Sequence, residues 1–202
     1  MSKFYYQIQL HAGETVENLT DCFVDKEIQE LRDSKILEFC RYNKKTFGVN
    51  DKVILHLELK NIQNLTLNIF EINTENYYMK KRCKIDSKVD IEGLIPAWTY
   101  RYDLSNEQPM KSYVRDFELE ELSKKNQGVF IVEFVGGSYT SRALIRKGSL
   151  SLVRNLEDDG PVYYVLNQDK DVCAKNTYIN FDSNTYDADT TGKITIPFRK
   201  NS

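Results

Sequence analysis

The stretch VILHLELK, residues 53–60, puts an apolar side chain at Val53, Leu55, Leu57 and Leu59 and a polar or charged one at His56, Glu58 and Lys60. A repeat of two is what a β-strand shows when one face is buried and the other is wet. Wound as a helix, the same residues would scatter their apolar groups around the whole circumference. After Asn61–Asn64 the chain continues as LTLNIFEI, and the two runs together read as a hairpin. Further strands are expected at Tyr77–Lys84, Lys88–Ile91, Tyr113–Leu119, Gly128–Val135, Arg142–Arg146 and Leu150–Val153. In GVFIVEFVGGSYTSRALIRKG, Gly136 and Gly137 supply the positive φ of a tight connection. The first strand of that hairpin is apolar on both faces except at Glu133, which predicts a central position. About seven short strands between residues 46 and 153 describe an antiparallel sandwich. Thirteen tyrosines and ten phenylalanines suit such a pleated, half-buried surface.

Ahead of the sandwich, Phe4, Tyr6, Ile8 and Leu10 alternate as a strand. A helix is expected over about residues 25–42, capped by Asp25, with Ile28, Leu31, Ile36, Phe39 and Cys40 as its apolar stripe. Behind the sandwich, the polar break NLEDDGP (155–161) precedes a second set at Val162–Leu166, Thr177–Phe181 and Ile194–Phe198. A unit of about 50 residues buries only ~60% of its surface, so this set must lean on the first or continue past Ser202. The expected class is therefore mainly β: immunoglobulin-like antiparallel β-sandwich modules with one short amphipathic helix. The expected division is 1–45 (strand plus helix), 46–153 (sandwich) and 154–202 (partial second module), within a larger multidomain protein.

Three stretches resemble the macroglobulin-type domains of the α2-macroglobulin and complement superfamily. They are KVILHLELKNIQNLTLNIFEI, GVFIVEF, and GPVYYVLNQDKDVCAKNTYINFDSNTYDADTTGKITIPF with its crossover at Ala174. The likeness runs over about residues 47–198. The thioester motif of that superfamily, Gly-Cys-Gly-Glu-Gln, is absent from the chain, and no bait-like segment is evident. What the resemblance implies is a scaffold and a contact surface, not covalent chemistry.

Charge and motif content narrow the function classes. With 28 basic against 30 acidic residues there is no global field to draw nucleic acid or an anionic membrane. No run approaches the ~20 apolar residues of a membrane helix, so no membrane insertion is expected. Residues 1–10 contain no signal-peptide core. Cys22, Cys40, Cys83 and Cys173 form no CxxC pair and are expected to be free thiols. Asn18 and Asn64 each open a glycosylation triplet. His11 and His56 are the only imidazoles, and no serine or cysteine stands in sequence as a partner nucleophile. HExxH, GxSxG, Walker A and GxGxxG are all missing, so neither an enzyme nor a cofactor is expected.

In NTYDADTTGKITIPF (184–198), Asp187, Asp189, Thr191 and Gly192 mimic the start of a calcium loop. The twelfth position is Phe198 where a bidentate carboxylate is required, so the stretch reads as a turn that sends Ile194, Ile196 and Phe198 into a core. Lys80, Lys81 and Arg82, in MKKRCK behind two tyrosines, suit either a phosphate-contacting patch or a lysine-guarded edge strand. The balanced charge favours the second. Tyr164 alternates with Val162 and Leu166 and should be core, leaving Tyr163 as the outward ring. Trp98, in a loop-like segment, is expected at an interdomain seam. The candidate partner-binding set is thus Tyr163, Trp98, Lys80, Lys81 and Arg82, for a protein partner or neighbouring domains of the same chain. The alternative reading is a β-sandwich that binds carbohydrate or another small ligand.

Overall fold

The computed structural model describes residues 33–107 and 111–198, together with residues 8, 29 and 30. The expected strand at 4–10, His11, Cys22 and the triplet at Asn18 lie outside these, apart from residue 8. In chain order the elements are β1 (Ile36–Phe39), β2 (Thr46–Phe47), β3 (Ile54–Lys60), β4 (Asn64–Glu71), α1 (Thr74–Lys81), β5 (Trp98–Asp103) and β6 (Tyr113–Glu118). There follow α2 (Glu120–Ser123), β7 (Gly128–Gly136), β8 (Tyr139–Lys147), β9 (Ser151–Glu157), β10 (Gly160–Leu166), β11 (Tyr178–Phe181), β12 (Asn184–Asp187) and β13 (Lys193–Thr195).

Two sheets, ordered β1-β3-β6 and β2-β8-β7-β4-β5, face each other as an immunoglobulin-like sandwich. Leu55, Leu57 and Leu59 from one sheet and Leu65, Leu67, Ile69, Phe130, Val132 and Phe134 from the other form one core, nearly all fully buried. Phe117 meets Phe134 at 4.8 Å between ring centroids, and Phe39 meets Phe134 edge-on at 5.6 Å. Burial on alternate residues thus does what the sequence pattern requires, but the pairing differs from a hairpin. β3 pairs with β1 and β6, and β4 with β5 and β7, so Asn61–Gln63 carry the chain from one sheet to the other. Asn61 takes the left-handed region (φ 54°) and its side-chain amide donates to the Ser34 carbonyl. Two apolar rows close in sequence bury more surface face to face than side by side, and period two alone does not distinguish the cases.

β7 is central, flanked by β4 and β8, and buried on both faces as its double-sided composition predicts. Its outer face is covered in large part by the stretch after β4: Ile85, Val89 and Ile91, together with Phe70 of β4, pack on Ile131 and Leu144. Lys88–Ile91 is therefore a covering loop that buries Val89 and Ile91, not a strand. Glu133, on the same outer face, is buried but paired, accepting from Arg142 Nε at 2.7 Å and from Asn68 at 3.3 Å.

Three further expectations are corrected. Residues 36–39 form β1, with Leu37 opposite Leu59 and Phe39 opposite Leu57, so the helix expected to reach 42 does not; residues 29, 30 and 33 are helical. Leu37, off the proposed helical stripe, is the buried residue, because alternation with Phe39 suits the sheet edge. Tyr77–Lys84 is mostly the helix α1, since Asn73 caps it by accepting from the Asn76 amide, Glu75 sits in the first turn, and Lys80 and Lys81 in the last. The break at 155–161 is the tip of a hairpin: β9 pairs with β10 from Ser151↔Leu166 to Glu157↔Gly160. Residues 151–153 therefore belong with the second set of strands rather than the first.

Leu57→Ala should cost about 2–5 kcal/mol of unfolding free energy in a denaturant titration, because Leu57 is fully buried where the sheets meet. The same change at the exposed Leu152 should stay within about 0.5 kcal/mol.

Candidate functional site

The second set of strands builds a sheet ordered β13-β10-β9 and a separate hairpin, β11–β12. Its turn chemistry is local. Asp189 accepts from the Thr191 hydroxyl at 2.6 Å and from the Thr191 and Lys193 amides at 2.8 and 3.0 Å. The Thr191 bond above all holds that carboxyl below its ordinary pKa. Gly192 is left-handed (φ 83°), and the calcium-like stretch is a turn whose acid serves the backbone. Ile194 and Ile196 are buried beyond it, as expected, whereas Phe198 is more than half exposed. Two polar bonds tie this unit to the first sandwich: Val49 N–H donates to Gln168 Oε1 at 2.9 Å, and the Tyr178 hydroxyl donates to Glu75 at 2.7 Å.

Directly opposed residues in an antiparallel pair share a face. The register therefore lays Leu152, Arg154 and Leu156 of β9 beside Val165, Tyr163 and Pro161 of β10, with Ile194 beyond Tyr163. Leu152 and Leu156 are 58% and 69% exposed, flanking Arg154. The surface continues into an open groove of ≈ 570 Å³ bordered by Arg154, Pro161, Phe181, Ile196 and Phe198. Phe181 and Phe198 are each over half exposed. Apolar side chains collected around one cation form a surface suited to protein contact.

The expected set does not converge on this surface. Tyr163 lies within it, half-buried on the face of the buried Ile194; Tyr164, also half-buried, stands opposite Val153 and Lys193 on the reverse face, so neither ring takes the extreme position assigned to it. Trp98 opens the edge strand β5 rather than a loop, half-buried against the first core, with Lys125 Nζ 5.6 Å above its ring. Lys80 and Lys81 close α1, and Arg82 is its left-handed C-cap (φ 53°), donating its amide to the Tyr78 carbonyl; all three are exposed. Arg154, Leu152, Leu156, Phe181 and Phe198 were missed. The signal available for them was LVRNL, an apolar strand without a lysine.

On the outer face of β1-β3-β6, the ladder sets Cys40, His56 and Asp116 in a row. His56 Nδ1 lies 2.5 Å from Asp116 Oδ1 and its ring 5.1 Å from that of Tyr42. The Cys40 side chain interacts instead with the Tyr42 hydroxyl, and that contact above all raises the pKa of Tyr42. Cys40, Cys83 and Cys173 are free thiols. Among the described residues no helix is long and apolar enough to cross a membrane.

Residues 65–148 match the family model described as the AbpF first immunoglobulin-like domain. Among curated proteins, Actin-binding protein F of Dictyostelium discoideum is 32% identical over 172 residues, which are 85% of this chain and 7% of that protein. The chain thus spans about 7% of the length of this relative. Two solved structures of native alpha-2-macroglobulin from Escherichia coli are similar. The one spanning NIE–MG1 has a TM-score of 0.48 at 13% identity over 84% of this chain and 89% of that one. The other, spanning MG0-NIE-MG1, has 0.44 at 14% over 83% and 59%.

Gly160 (φ 138°) starts β10 where a Cβ would stand 2.3 Å from the Ile196 carbonyl oxygen. Gly160→Ala should therefore force the 196–198 segment away from the hairpin and destabilise it by about 1–3 kcal/mol. Hydrogen exchange should show residues 160–166 losing protection while β3 and β7 keep theirs.

Proposed function

We propose that this chain is a non-enzymatic structural and protein-interaction module of a larger multidomain protein, with filamentous actin as its partner. The observation that carries the reading is the apolar surface around Arg154, where Leu152, Leu156, Phe181 and Phe198 are each more than half exposed. The relative named for actin binding supports the choice of partner, and its much greater length supports a modular parent. In this reading the first module ends near Gly148, before β9, whereas a division at 153/154 would cut through that strand, which pairs with β10. Lys80, Lys81 and Arg82 serve as exposed basic rim contacts, and Tyr163 as an anchor beside the groove. Trp98 joins the contact through its exposed edge strand. Co-sedimentation of the 202-residue chain with actin filaments tests this. Saturable recovery in the pellet is expected at micromolar filament, falling severalfold when Lys80, Lys81 and Arg82 are changed to Glu. A chain that stays in the supernatant under low salt overturns the choice of actin.

A second reading is favoured by one observation. Among the described residues the Tyr113 hydroxyl is buried without a hydrogen-bond partner, beside a cleft of ≈ 730 Å³ lined by Asn61, Gln63, Asn64, Ser105 and Glu107 among others. An orphan hydroxyl in a polar cleft is what a polyol or carbohydrate would satisfy. A screen of neutral oligosaccharides should then raise the melting temperature of the chain, and less so for Tyr113→Phe. No rise with any of them removes this reading.

A further inference from the structure

The free edge of β9 offers main-chain groups as well as side chains, and their direction follows from the ladder. The Pro161 carbonyl accepts from Ile196 N–H at 3.0 Å, and the Val165 carbonyl from Cys173 N–H at 2.8 Å. Odd-numbered positions of β10 thus turn their main-chain groups away from β9, and Val162, Tyr164 and Leu166 turn theirs toward it. Their partners are Asn155, Val153 and Ser151. The N–H and C=O groups of Leu152, Arg154 and Leu156 consequently point out of the sheet, and no turn or loop among the described residues bonds to them.

Other edges are defended. β1, β2 and β13 are four, two and three residues long, and β11 and β12, both edges of a two-stranded sheet, are four residues each. β5 and β6 carry Arg101, Asp103, Arg115 and Asp116 along their length. β9 runs seven residues, and its central charge is Arg154 alone, since Glu157 at its end is engaged by Lys193 at 2.7 Å. Arg154 forms no hydrogen bond or ion pair with the described residues. Natural sheets block such an edge unless it is meant to be extended.

We propose that β9 binds an extended segment of a partner protein by antiparallel strand addition, and that this segment carries one carboxylate between two apolar residues at alternate positions. The carboxylate faces Arg154, and the apolar residues two positions either side face Leu152 and Leu156. Main-chain bonds to Leu152, Arg154 and Leu156 supply affinity, and the alternate side chains supply selection. A basic segment would set a like charge directly opposite Arg154, and an uncharged one would forgo the opposite-charge pair, which disfavours both. The inference rests on reading the chain as a protein-contact module, and it identifies the chemistry of the contact.

The probe is the peptide acetyl-SVTETVS-amide, titrated into the isotopically labelled 202-residue chain and followed by amide NMR. Shifts are expected at residues 151–157 and at Phe181 and Phe198, with acetyl-SVTKTVS-amide binding roughly fivefold to tenfold more weakly. Arg154→Glu, at an exposed position, should invert that preference. Leu152→Pro should abolish binding of both peptides while leaving the rest of the spectrum in place, because its lost N–H serves no internal bond. If Leu152→Pro does not fold, the charge inversion carries the test alone. Peptides that leave the β9 amides unmoved, or that bind equally before and after Arg154→Glu, overturn the proposal. So does sedimentation of the free chain as a dimer with protected β9 amides, which would make the occupant a second copy. Loss of peptide binding beside intact actin co-sedimentation would sink the edge and spare the module.

Discussion

Burial of facing apolar rows is the constraint on which the architecture depends. Leu55, Leu57 and Leu59 must leave water together, and the nearest partners of matching period are Leu65, Leu67 and Ile69. A side-by-side hairpin would leave that face uncovered, whereas a crossover at Asn61–Gln63 lets each row cover the other. Once β3 and β4 lie in opposite sheets, β6 and β1 complete one layer and β7, β8 and β5 the other. The aromatic residues Phe117 and Phe134 then fill the space between layers that leucine rows cannot. The outer face of β7 creates a further demand: Ile131 and Leu144 also need cover, and the 85–91 loop provides it. Glu133 is tolerated on that face because Arg142, directly opposite in the register, compensates its charge.

The parts of this fold that were legible in sequence are those in which one side-chain pattern has one physical outcome. Alternation at 53–59 and 113–118 marks strands, and the double-sided apolar run at 128–135 marks a central strand; of the two glycines expected in its turn, only Gly137 takes positive φ (62°), while Gly136 ends β7 opposite Tyr139. Asp189, Thr191 and Gly192 announce a turn for the same reason: short acceptors capture nearby amides. Pairing was not legible, since period two states which face is buried but not which neighbour is bonded. Local competition explains the rest. Residues 36–40 satisfy a helical stripe and a short alternation equally, and only Leu59 and Leu57 across the ladder settle it. Residues 77–84 look like a guarded strand until Asn73 is recognised as a cap. Arg154 was invisible as a site residue because its neighbours Phe181 and Phe198 are brought to it from far along the chain.

The strands after Gly148 show what happens when the same burial requirement meets too few residues. Their fully buried apolar residues are Val162 and Ile194, with Ile196 nearly so, and no large aromatic joins them. A unit this small exposes a larger share of its apolar surface than a full sandwich does. Its order is therefore maintained by other means: the Asp189 turn, the tight approach at Gly160, and the bonds from Gln168 and Tyr178 to the first module. Each is polar or steric, and none covers Leu152, Leu156 or Phe181. Thus the residues that would otherwise enlarge the small core remain at the surface. Any protein that covers them removes apolar area from water at roughly 25 cal/mol per Å², the same term that stabilises the first sandwich. Contact and folding are then linked quantities in this unit, because a partner that binds the ordered hairpin raises its stability by mass action. In the first sandwich the facing rows already cover one another, so its core is complete without a partner.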